Sequence, residues 1–251
     1  MRGSSPALNS RTFTRYAGYA GARMTVEGTI NKTGFLLLCM VVPATWMWIQ
    51  VMQGVGSYAG TSPVVGLGLI GGLIGGLVFA LVTVFKPTWA PVTAPLYAIC
   101  EGFVLGAISA QFEAQLRGIV IQAVALTIGV LLTMLVLYRT GVIRVTERFR
   151  MMVVAATGAV FLVYLGTFVL GIFGVHMPYI HDGGTLGIVF SLVVIGIAAM
   201  NLALDFDFIE QGAADGAPAF LEWYGAFGLM VTLVWLYLRI LHLLAQLNRR
   251  R

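Results

Sequence analysis

Seven apolar runs dominate this sequence. They fall at about residues 33–52, 63–85, 93–112, 116–138, 151–174, 185–204 and 219–244. As a helix, each is about long enough to cross a hydrocarbon layer ~30 Å thick. In lipid every backbone N–H and C=O must be satisfied internally, so only helices or a closed barrel can span. The runs show no period-two alternation, which selects helices. Pro87, Pro91, Pro95 and the Gly-rich stretch 212–217 punctuate the connections. The links are short, so the prediction is one all-α, polytopic membrane helix bundle. A basic tail (1–32) precedes the transmembrane domain (33–246), and a basic tail (247–251) follows it.

Composition closes off the other classes. Hydrophobic residues make up 59% and charged residues 10% of the chain, against roughly 25% charged in an average soluble domain. With a mean hydropathy of +0.92, a soluble globular fold and a disordered chain are both excluded. Cys39 and Cys100 each sit in an apolar run, which excludes a disulfide scaffold and a cysteine-built zinc site. The net charge of +5 does not point to nucleic acid, because the basic residues gather in the tails and in one mid-chain loop.

That distribution orients the bundle. With the N-terminus inside, the inner segments hold Arg2, Arg11, Arg15, Arg23, Lys32, Lys86, Arg139, Arg144, Arg148 and Arg150, and the outer loops hold Arg117. Cytoplasmic loops carry such an excess. Seven spans then put Arg249, Arg250 and Arg251 outside, against the rule; the earlier spans are taken to overrule them. Residues 1–32 contain no apolar segment with a cleavage site, so they read as a cytoplasmic extension near the anionic membrane surface. Helix 2 carries Gly68/Gly72, Gly71/Gly75 and Gly72/Gly76 pairs, which suit close helix packing within the bundle.

The few acids carry the most information, since a carboxylate at the centre of a span costs about 2.5–3.5 kcal/mol on insertion scales. Of ten acids, five lie in one eighteen-residue window: Asp205, Asp207, Glu210, Asp215 and Glu222. No Lys or Arg occurs from Met151 to Leu238, so no basic partner is expected within that stretch. Asp205 closes helix 6 and Glu222 opens helix 7, so re-entry of the chain brings both to one depth. There they read either as wet loop acids or as a buried side-by-side pair. A buried pair cannot ionise cheaply twice and would titrate as a coupled unit. It would share a proton at low pH and repel, or capture a hard cation such as Ca²⁺, at higher pH. Asn201 shares the Asp205 face, four residues earlier. Asp207, two residues on, points elsewhere on a continuing helix and reads as a wet-loop acid, with Glu210 and Asp215. Glu101, within helix 3, is a further candidate, either a pore-lining acid or a satisfied structural contact. His176, His181 and Asp182 in loop 5–6 give only a weak metal signal, and His242 reads as interfacial.

LDFDFIEQG after helix 6, CEGFVLGAISAQF in helix 3 and FLEWYGAF opening the last helix together resemble the Bax inhibitor-1 family of multi-pass membrane proteins. SPALNSRTF is similar to the start motif of its bacterial branch. The resemblance implies seven helices with the last one central, and a pH-dependent Ca²⁺ leak sensed by an acid pair on helices 6 and 7. Asp205 matches the sixth-helix Asp, and Glu222 stands where an Asp is usual. Glu101 matches a third-helix Glu-Gly. Some members pair the sixth-helix Asp with a basic residue in helix 2, but residues 63–85 contain none.

The expected function is thus a calcium leak channel of the bacterial inner membrane, gated by protonation of Asp205 and Glu222. Ca²⁺ is its permeant or transiently bound ion, and no cofactor is expected. A non-conducting regulator that binds another membrane protein, such as a protease, is the alternative, and a cation/proton exchanger a third. No enzyme is expected: Glu222 lacks a Gly-x-Gly-Asp context, and no Ser/His pair is present for a serine mechanism.

Overall fold

A computed structural model of the chain describes residues 21–54, 63–172 and 185–248. Among them, seven helices are long and apolar enough to cross a membrane. They are α1 (Val26–Gly54), α2 (Pro63–Phe85), α3 (Ala90–Gln115), α4 (Ile119–Arg139), α5 (Glu147–Ile172), α6 (Thr185–Ala214) and α7 (Phe220–Asn248). A single 3₁₀ turn, Pro87–Trp89, leads into α3. Each expected span overlaps one of these helices over most of its length, and no strand occurs among the described residues. The chain is a multi-pass helical membrane protein. Leu67 on α2 and Ile121 on α4 are each 73% exposed, as apolar side chains turned to lipid should be.

Two boundaries differ from the sequence reading. Helix α1 starts at Val26, so Lys32 is helical and not part of a tail. Thr25 caps the start, its Oγ1 accepting from the Gly28 N–H at 3.0 Å. Helix α6 runs ten residues past 204, so Asp205, Asp207 and Glu210 are helical and not in a loop. It stops at Gly216, whose φ of 63° is left-handed and suits glycine.

The helices form two compact units. Among the described residues the first comprises 21–54, 63–120 and 208–231, and the second 121–172, 185–207 and 232–248. Helices α6 and α7 each contribute to both.

In the first unit α3 packs against α1 and α2. Gly102 and Gly106 make the α1 contact possible: a Cβ on either would collide with a backbone oxygen of α1, Met40 O or Ala44 O. On α2, Gly72 faces the Cys100 carbonyl and Gly76 faces Glu101, while Gly66 and Gly71 meet only open space. The expected small-residue packing is therefore real on one face of α2. The sequence reading overlooked the equivalent Gly102/Gly106 pair on α3. Met47, Val51, Val65, Ala107 and Ala110 fill the apolar centre beside it.

In the second unit Val160, Val194 and Ile197 form a small apolar centre. Tyr164, Phe190, Met200 and Trp235 pack around it.

Candidate functional site

Glu222 sits in the first turn of α7 and is 5% exposed. Its position depends on a backbone strap in the first unit. Met24 N–H donates to Ala217 O at 2.6 Å, and Ala219 N–H donates to Ala22 O at 2.8 Å. These bonds tie residues 22–24 to the turn between α6 and α7. The next residue, Thr25, then reaches the acid. Its N–H donates to Glu222 Oε1 at 2.7 Å and its hydroxyl to the same oxygen at 2.9 Å. Lys32, two turns into α1, donates its ammonium to Oε2. The Trp223 ring covers that ammonium, 5.5 Å from centroid to Nζ. Glu222 is thus a buried carboxylate satisfied entirely by the start of α1.

Gly28 sets the fit. A Cβ there would lie 2.6 Å from Glu222 Cδ and Oε2, closer than van der Waals contact allows. Gly28→Ala is expected to displace the carboxylate and lengthen the Lys32 contact. Glu222→Asp should do so too, by shortening the reach. Both variants should melt at lower temperature in detergent, by the equivalent of about 1–3 kcal/mol.

The second unit holds the other acids. Asp207, read from the sequence as a wet-loop acid, is 8% exposed. Arg150 Nη2 donates to its Oδ2 at 2.6 Å. The helix continues past Asp205, so Asp205 and Asp207 face apart. Asp205, 5% exposed, takes a hydrogen bond from the Thr232 hydroxyl of α7. Its Oδ2 is buried without a partner. Asn201 Nδ2 donates to Thr157 Oγ1 at 2.8 Å.

Arg150→Ala removes the cation from Asp207, and breaking a largely buried pair in this way costs about 3–5 kcal/mol. Replacing both partners with apolar residues, Arg150→Met with Asp207→Leu, should recover most of that loss. Thermal melting in detergent compares the two.

Glu101 belongs to the first unit. Tyr97, one turn earlier on α3, bonds it, and Gly76 of α2 leaves room beside its Oε2. Tyr97 in turn stacks edge-on against Phe227 of α7, with ring centroids 5.1 Å apart.

The expected pairing of Asp205 with Glu222 falls across the two units, and each acid is described with partners of its own. Among the described residues, no group of three or more His, Cys, Asp or Glu could hold a metal ion. His176, His181, Asp182 and the three terminal arginines lie outside the described residues.

A seven-span helical fold is what the motifs implied. A family model described as Bax inhibitor 1 like matches residues 5–249. The chain belongs to that family. No curated protein and no solved structure matches it. In this Bax inhibitor 1 like chain, α2 contains no Lys or Arg. The acids find cations elsewhere: Lys32 for Glu222 and Arg150 for Asp207. Both cations lie outside the stretch from Met151 to Leu238, where no basic partner was expected: Arg150 immediately before it, Lys32 far upstream in α1. Sequence reasoning missed them because each sits in an early turn of a helix whose apolar run starts later. The signal available was the helix start itself, Thr25 with Gly28 three residues on, which places Lys32 inside α1.

Proposed function

We propose that this chain is a pH-sensitive calcium leak channel of a bacterial inner membrane, with its N-terminus cytoplasmic. Ca²⁺ is the permeant substrate, and Glu222 and Asp205 sense protons. The observation that carries the reading is the Glu222 clamp. Every hydrogen bond to this carboxylate comes from Thr25 and Lys32, and the strongest needs an ionised Glu222. Acid that protonates Glu222 removes the charge that holds Lys32. The fastening between α1 and α7 is present while Glu222 is ionised and fails as pH falls through its titration, so the leak rises in acid. This sign is opposite to that of a proton shared between two carboxylates. Asp205 contributes through its second oxygen, a buried acceptor without a partner that a proton would satisfy. Calcium flux into dye-loaded proteoliposomes tests the reading. Wild-type flux should change with pH, and Asp205→Asn and Glu222→Gln should each flatten that response. An unchanged response in both variants removes the mechanism.

The regulatory alternative draws on the strap, which joins the N-terminal segment to the α6–α7 turn. If regulation by contact is the function, a membrane protein partner co-purifies with the full chain and is lost when residues 1–20 are deleted, while no variant conducts.

A further inference from the structure

A polar seam runs through the second unit, apart from the Glu222 clamp. On α7, Thr232, Arg239 and Gln246 recur every seven residues, close to two full turns, and so form one stripe. Two of them fix the register against α6. The Thr232 hydroxyl bonds Asp205, and Ser191 Oγ donates to Gln246 Oε1 at 2.8 Å. Fourteen residues separate the two contacts on each helix, so the antiparallel pair stays in step over about 21 Å. Halfway along, Arg239 falls level with Ala198. Its guanidinium carbon lies 4.1 Å from the centroid of the Tyr164 ring of α5.

Three buried side-chain polar atoms among the described residues have no hydrogen-bond partner: Asp205 Oδ2, Arg239 Nε and Gln246 Nε2. All three lie on this seam, one at each level. Asp205 and Gln246 are 5% and 3% exposed. Lipid offers such atoms neither donor nor acceptor, and native proteins rarely leave them orphaned. Water serves an acceptor and a donor equally well, and internal water occupies polar sites of this kind. One lone acceptor and two lone donors, spaced about 10 Å apart along the helix, are what a file of internal water completes. The middle of that file then faces a fixed positive charge.

We propose that the α6–α7 seam is a hydrated path and that Arg239 is its electrostatic barrier, a specificity-determining residue that restrains divalent cations. The inference rests on the leak reading for the identity of the permeant ion. A doubly charged ion about 6 Å from a guanidinium is disfavoured about tenfold even at the dielectric constant of water.

Proteoliposomes of the full chain test it. Arg239→Gln should pass Ca²⁺ at least about tenfold faster than wild type, while Arg239→Lys, which keeps the charge, stays at the wild-type rate. Arg239→Gln no faster than wild type overturns the barrier. Radiolytic hydroxyl labelling of the wild type checks hydration without any variant. Tyr164 and Met200 should be labelled and Met47, in the apolar centre of the first unit, should not. An unlabelled Tyr164 overturns the hydrated seam. If the wild type does not conduct and Arg239→Gln does, this inference stands and the leak reading fails. If the wild type leaks and Arg239→Gln leaves the rate unchanged, the reverse holds.

Discussion

Lys32→Gln is expected to raise calcium flux at neutral pH to the level that wild type reaches in acid. The variant leaves Glu222 ionised but removes the cation that fastens it to α1. A hydrogen bond between charged groups contributes about 1.5–3 kcal/mol, which corresponds to a roughly tenfold to hundredfold shift toward the released state. Glu222→Gln should give the same high flux, because an amide keeps the shape of the acid without its charge. Neither variant should respond further to acid, since the group whose protonation matters has lost its counter-ion or is itself gone. Exchanging the charges, Lys32→Glu with Glu222→Lys, should restore part of the closure at neutral pH. Proteoliposome flux over a pH series reads all four proteins. Low flux in Lys32→Gln at neutral pH would place the gate elsewhere.

Gly106→Leu should have the largest effect on folding. A Cβ at Gly106 meets the Ala44 carbonyl oxygen and Cα, and a Cβ at Gly102 meets the Met40 carbonyl oxygen. Both obstacles are backbone, so no side-chain rotation relieves them, and α1 must move away from α3. Overpacking of a tight contact costs about 1–3 kcal/mol. Here the shift also opens the packing around Met47 and Ala107, two wholly buried residues of the same contact. The expectation is a loss of about 3 kcal/mol or more, seen as a large drop in melting temperature and in folded yield from membranes. Gly71→Ala is the control. It faces open space and should be neutral or gain up to about 1 kcal/mol of helix propensity.

The seven spans were legible because bilayer thickness converts directly into run length, and the hydropathy of each run is unambiguous. The ends were not, since apolar runs mark where lipid begins and helices continue beyond it. Lys32 was cut from α1 for that reason, and Asp207 from α6. Asp205 and Glu222 stood out because burying a carboxylate is costly. The cations that pair with Glu222 and Asp207 did not, because Lys32 and Arg150 are distant from them in sequence and were read as topology signals, not as counter-ions. Arg239 was legible in principle. It is a lone cation inside the last apolar run, and its seven-residue spacing from Thr232 and Gln246 is in the letters. What the letters lack is the register of α6 against α7, which two side-chain contacts supply. The same limit explains Gly102 and Gly106: their spacing is visible, but their facing helix is not.

The central claim is that an ionised Glu222 fastens α1 to α7 and that acid releases it. Spin labels at Glu27 and Glu210, both exposed positions of the first unit, report it through their distance distribution at about pH 8 and about pH 3, on either side of the carboxylate range, with Cys39 and Cys100 replaced by serine. The account predicts a narrow distribution at the higher pH that broadens and lengthens at the lower one. Glu222→Gln should already show the broad form at pH 8. One narrow distribution at both pH values, shared by the wild type and Glu222→Gln, would contradict it.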